Sequence, residues 1–224
     1  MAPTIHLVRH AEATHNISSE HVVHPDTRLT LLGRMQADHI ATTFPEIWKV
    51  THLVSSPSDR TIETCVRGFG AAVLDTALVS RITLHPDLQE VGHHNCNYPS
   101  KLGWLVLRWG RHVDTSLLGP GWDDRRPGSL CDDADPANLA SREVRARTWL
   151  HELAKSAVAG GEENPHIVVV SHQNFLNLLT RGNPYSLFWN AEFRSYQFGL
   201  HEDPTWGPWL VETEESLDRR TPDT

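Results

Sequence analysis

Three short apolar runs govern what this chain can fold into: IHLV at 5–8, THLVSS at 51–56 and HIVVVS at 166–171. Each is rich in β-branched residues and short for a helix, so each is read as a buried strand. Between them the pattern turns helical over 29–43, 58–69, 137–159 and 175–181, the last running into Gly182. Strands that alternate with helices predict an α/β fold, a three-layer α/β/α sandwich with a mainly parallel central sheet. With 224 residues, 39% of them hydrophobic, the chain has enough core for one such domain over 1–224.

Two stretches interrupt the alternation. Residues 92–136 are rich in Gly, Pro, Asp and Trp (Trp104, Trp109, Trp122), with one helix expected at 99–111. An interruption this long is read as an inserted lid or binding loop. Aromatic alternation over 194–211 predicts closing strands, and the polar residues 212–224 predict a frayed end.

Charge and cysteine usage narrow the partners. The formal net charge is −8 with no Lys/Arg block, which argues against nucleic acid and against an anionic membrane surface. Cys65, Cys96 and Cys131 form no CxxC pair and read as free thiols in a reducing compartment. The start, MAPTIHLVRH, has neither the charged nor the apolar region of a secretory leader, and no window approaches a membrane span. A cytoplasmic protein is expected, and exposed sheet edges leave room for a homodimer.

Ligands of open α/β sheets bind beyond the carboxyl ends of the strands. After the first strand stand Arg9, His10, Glu12 and Asn16; after the second, Ser55, Ser56, Asp59 and Arg60; near the end of ITLHPDLQE, Glu90; after the last, Ser171, His172 and Gln173. This set suits phosphoryl transfer through a covalent histidine. One imidazole nitrogen attacks phosphorus, arginines hold the equatorial charge, and a carboxyl group protonates the leaving oxygen. Ser171 beside His172 does not make a serine hydrolase, because neighbours on a strand face opposite ways and no G-x-S-x-G elbow surrounds them. His93, His94 and Cys96 lack a second ligand group at metal spacing and read as a polar lid entrance.

At these residues the chain resembles the histidine phosphatase superfamily, in its phosphoglycerate mutase-like branch. The nucleophile motif stands as Arg9, His10, Ala11, Glu12 and Asn16, and a helix start as Leu29, Thr30, Gly33, Gln36 and Ala37. A third block stands as Ser55, Ser56, Pro57, Arg60 and Thr64, the acid region as Leu88, Gln89 and Glu90, and a second-histidine strand ends in His172. The resemblance implies that His10 becomes a phosphohistidine, that Arg9, Arg60 and His172 stabilise phosphate charge, and that Glu90 is the proton donor and later the base. It implies a small phosphorylated substrate near Asn16, Glu12, Ala11, Gln173 and His94, and neither metal nor organic cofactor.

The chain also departs from the family. Ala11 and Gln173 stand where the family commonly has Gly, and Ser171 where Gly or Thr is frequent. The segment after Glu90 lacks the mutase branch's Gly-rich run. A phosphatase acting on a small phosphomonoester is expected; a phosphomutase, or a catalytically weak protein that binds a phosphorylated ligand, stays open beside it.

Overall fold

The computed structural model describes residues 2–74, 79–181, 187–199 and 207–220. Seven strands lie among them: β1 (Thr4–Arg9), β2 (Val50–Ser55), β3 (Ile82–Leu84), β4 (Val113–Asp114), β5 (His166–Ser171), β6 (Phe193–Gly199) and β7 (Trp209–Glu212). They form one sheet in the order β4-β3-β2-β5-β1-β6-β7. The first five in that order run parallel, and β6 and β7 add an antiparallel edge.

All six residues of β5 are buried, as a strand covered on both faces must be. Its alternate residues feed two cores. Val168 and Val170 join Val8 and Leu53 on one face, under Ile40 and Phe44 of α2 (Leu31–Thr43) and Ile62 and Phe69 of α3 (Asp59–Phe69). Ile167 and Val169 join Ile5, Leu7 and Val54 on the other, under α5 (Pro136–Ala159) and α6 (Gln173–Thr180), through Leu150, Phe175 and Leu179. The expected three layers follow from this alternation. Local signals set helix starts: Thr30 Oγ1 accepts from the Gly33 N–H at 2.9 Å, and Asp135 caps Ala137 at 2.9 Å with Pro136 at the first position. A one-turn helix, α1 (Thr14–Ile17), follows the first strand.

Two regions differ from their sequence reading. Residues 92–136 hold α4 (Leu102–Trp109) but also β4, and Leu105, Val113, Leu118 and Trp122 pack into the core. Val113–Asp114 thus extends the edge of the sheet, and the four side chains anchor the segment to the core. The polar end is ordered through α7 (Glu214–Arg220) rather than frayed from 212 onward. Ser216 is buried and donates to Glu212, which also pairs with Arg220 at 2.6 Å, so side-chain pairing stands in for apolar contact. Gly182, residues 200–206 of the closing-strand reading, and residues 221–224 lie outside the described residues.

Candidate active site

Three adjacent strands carry the sequence-predicted groups to one place. Register pairs Arg9 of β1 with Ser171 of β5, and Ser55 of β2 with Val170. The ladder continues one residue further, where the His10 N–H donates to Ser171 O and the Ser56 N–H to Val170 O, both at 2.9 Å. His10, His172 and Ser56 therefore emerge side by side, with the two imidazole centroids 5.2 Å apart.

His10 is 2% exposed, and its Nδ1 lies 2.8 Å from the Ala11 carbonyl oxygen. A carbonyl can only accept, so Nδ1 carries the proton and Nε2 keeps its lone pair. Burial, then the charges of Arg60 and Arg9, then His15, hold the ring's pKa well below 6.5. The result is a neutral imidazole with one unprotonated ring nitrogen.

Arg60, 1% exposed, is aimed by two contacts: Nη1 donates to Cys96 O at 2.8 Å and Nη2 to His172 Nδ1 at 3.1 Å. That bond puts the His172 proton on Nε2, which donates to Ser56 Oγ at 2.8 Å. Arg9 donates from Nη1 to Phe188 O at 2.8 Å. The Nε groups of both arginines are buried and make no hydrogen bond with the protein. Orphaned cationic donors near a neutral imidazole are groups that an oxyanion could satisfy.

Glu90 follows a 3₁₀ turn, Pro86–Leu88, beyond β3. Its Oε1 accepts from the N–H groups of Val91 (2.8 Å) and Phe175 (3.1 Å), and Oε2 from Asn174 (3.4 Å). The carboxyl group therefore sits on the N-terminus of α6, the helix that begins directly after His172. Burial raises its pKa, against the lowering effect of those N–H groups and Arg60. Ser171, one of the family departures, donates from Oγ to Leu88 O at 2.7 Å and so ties β5 to the acid-bearing loop.

The remaining predicted residues divide into supports and outlying groups. Glu12 accepts from Thr30 Oγ1 at 2.7 Å, and its N–H donates to Gln36 Oε1 at 2.9 Å. Ala11 is fully buried among Ala13, Leu29 and Ala37, and its N–H goes to Thr64 Oγ1 at 3.1 Å. Asn16 Oδ1 accepts from Ala13 N at 3.0 Å and from Asn190 at 3.3 Å, which ties the loop after His10 to the strand-entry loop before β6. Gln173 lies beside Arg9 in a cleft of about 880 Å³ that Phe188 and Trp189 also line. His94 is exposed and is not joined to the group by any described contact.

Sequence reasoning missed His15, whose ring centroid lies 5.5 Å from that of His10 and whose Nδ1 donates to Thr27 Oγ1 at 2.6 Å. Its pKa is held down at about 3, chiefly by burial and then by Arg60. Its place one residue before Asn16 was the available signal. Nothing in the local sequence marks the Cys96 carbonyl. Among the described residues, no three His, Cys, Asp or Glu side chains are grouped to hold a metal, and no helix is long and apolar enough to cross a membrane.

Residues 5–101 match the histidine phosphatase superfamily (branch 1). No curated protein matches the chain. Among solved structures, a mycobacterial hydrolase shares the fold with 19% identity and a TM-score of 0.58, over 95% of this chain and 97% of its own. The ecdysone phosphate phosphatase of Bombix mori, in complex with tungstate, aligns at 16% identity and TM-score 0.61, over 94% and 92%. A mycobacterial glucosyl-3-phosphoglycerate phosphatase bound to VO3 aligns at 18% and 0.52, over 95% and 98%. Residues 5–101, the stretch that carries His10, Arg60 and Glu90, are thus similar to the histidine phosphatase superfamily (branch 1), and the fold is shared over nearly the full length of the chain.

Proposed function

We propose that the protein is a phosphatase that hydrolyses a small-molecule phosphomonoester through a phosphohistidine on His10. The observation that carries this reading is the bond from His10 Nδ1 to the Ala11 carbonyl, which leaves Nε2 as a buried, unprotonated nucleophile. Nε2 attacks phosphorus, the bond to the ester oxygen breaks, and the Glu90 carboxyl gives that oxygen its proton. Water then attacks the phosphohistidine, Glu90 takes a proton from it, and phosphate leaves with His10 restored. Arg9 and Arg60 meet the equatorial oxygens with their unengaged, buried Nε–H groups, which act at the transition state. His172 holds Arg60 in place and carries one N–H, now on Ser56, that it can turn to phosphate.

Two relatives of the same fold are phosphatases named for an ecdysone phosphate and for glucosyl-3-phosphoglycerate, which supports ester hydrolysis on a small molecule. The buried free thiols of Cys65, Cys96 and Cys131 support a reducing, cytoplasmic setting.

The test is rapid-quench turnover of p-nitrophenyl phosphate by the wild-type chain and His10→Ala. The wild type should accumulate an acid-labile, base-stable phosphoprotein and release phosphate. In His10→Ala the phosphoprotein should vanish and turnover fall by roughly 10⁴-fold or more. Undiminished turnover in His10→Ala would sink the reading, and an isomerised ester in place of free phosphate would make the protein a mutase.

A further inference from the structure

Glu90 is gripped by a cluster that the reaction above does not use. Residues 125–133 wrap the turn at 89–92: Arg125 donates from Nη2 to Glu90 O at 2.9 Å and from Nη1 to Gly92 O at 3.0 Å. Arg125 Nη1 also pairs with Asp133 Oδ2 at 3.1 Å, and the same oxygen accepts from the Gly92 N–H at 2.9 Å. Arg142 of α5 approaches the other oxygen of Asp133 at 3.3 Å and lays its guanidinium over Phe175, 4.9 Å from the ring centroid. Phe175 is the residue whose N–H binds Glu90 Oε1.

The side chains of Arg125, Asp133 and Arg142 are 0%, 1% and 0% exposed. Two buried arginines thus share one carboxylate, and none of the three Arg142 side-chain nitrogens makes a hydrogen bond. Desolvating such a group costs several kcal/mol, and an apolar trio of equal volume would serve stability at least as well. What the polar trio adds is geometry. It fixes the main chain of Glu90 from one side and, through Phe175, the helix end that holds its carboxyl group from the other.

We propose that Arg125, Asp133 and Arg142 are positioning residues that hold the Glu90 carboxyl group at the leaving oxygen, and so serve proton transfer through Glu90. The inference rests on the phosphatase reading and deepens it. It predicts damage that depends on how much the departing group needs a proton.

The experiment measures kcat/KM across phosphomonoesters from p-nitrophenyl to simple alkyl phosphates. It compares wild type, Asp133→Asn, Arg125→Lys, Glu90→Gln and the double variant Asp133→Asn/Glu90→Gln. Asp133→Asn and Arg125→Lys should lose roughly tenfold to hundredfold on alkyl esters and less than about threefold on p-nitrophenyl phosphate. In the Glu90→Gln background, Asp133→Asn should cost no more than about twofold further. If Asp133→Asn does not fold, Arg142→Met, which removes the charge and keeps the volume, takes its place with the same expectation.

An equal loss on all esters, an unchanged alkyl rate, or losses that multiply in the double variant would overturn the proposal while the phosphatase reading stands. A wild-type chain that hydrolyses none of the esters would overturn the phosphatase reading, and this one with it.

Discussion

At His10 and Glu90 the protein moves two pKa values in opposite directions, each toward the role proposed for it. Burial and the neighbouring arginines lower that of His10, so its attacking form survives below the pH at which an ordinary histidine protonates. Burial raises that of Glu90, so the proton needed by the leaving oxygen is kept above the usual glutamate range. With an alkyl phosphate, and after allowance for the ester's own second ionisation, the acid limb of kcat/KM should lie below pH 6.5. The alkaline limb should reflect loss of the Glu90 proton, giving a mildly acidic optimum. In Glu90→Gln the alkaline limb should disappear while the acid limb stays. His10 was legible because it follows a strand that composition alone marks as buried, and Glu90 because it closes the strand-like run ITLHPDLQE in a block that resembles the family's acid region. Their protonation was not, since it depends on a carbonyl one residue on and on Arg60, fifty residues away in sequence.

At the scale of elements, the start of α2 explains why a threonine, a glycine and a glutamine recur together in the second sequence block. The Thr30 N–H donates to Glu12 O at 3.0 Å, Thr30 Oγ1 to Glu12 Oε1, and Gln36 accepts from Glu12 N. The helix end lies against the main chain just after His10, and a Cβ at Gly33 would stand 1.9 Å from Glu12 O. Backbone cannot yield as a side-chain tip does. Gly33→Ala should cost roughly 3 kcal/mol or more, read as a fall in the urea midpoint, and should lower kcat through displacement of His10. That the block exists is visible in the sequence; that it serves the nucleophile loop is visible only in the packing. Arg125, Asp133 and Arg142 left no sequence signal at all, because they sit in irregular chain or inside a long helix, with no spacing to join them. β4 escaped for a related reason, two residues being too few for a period, and α7 because ion pairs supply what apolar residues would otherwise show.

The whole molecule carries many histidines that folding keeps neutral. His6, between Ser195 and His166, is pushed down to about 3, chiefly by burial, and His85 to about 4 for the same reason. His10 and His172 are also held well below 6.5 inside the site, and His15 at about 3. In each the folded pKa lies below the unfolded value near 6.5, so the unfolded chain binds more protons below that pH. Stability should be complete above pH 6.5 and fall steadily as pH drops toward 4. Each such histidine contributes a slope approaching about 1.4 kcal/mol per pH unit. Urea titrations at pH 7.5, 6.5, 5.5 and 4.5 would read this as a falling midpoint; a flat midpoint would mean that these rings accept protons in the fold.

The pairing of β1 with β5 also governs when the site can come into being. His6 and His166 touch across that pair although 160 residues separate them in the chain, and His172 meets Ser56 across 116. A ribosome-bound chain that has released only its first three strands holds His10 and Arg60 with no β5 to align them. The candidate site is therefore a late product of folding, formed when the central strand inserts between its neighbours. Such distant contacts close slowly and leave strand edges exposed meanwhile, so refolding should be limited by this insertion, with activity and the final burial of β5 returning in the same phase.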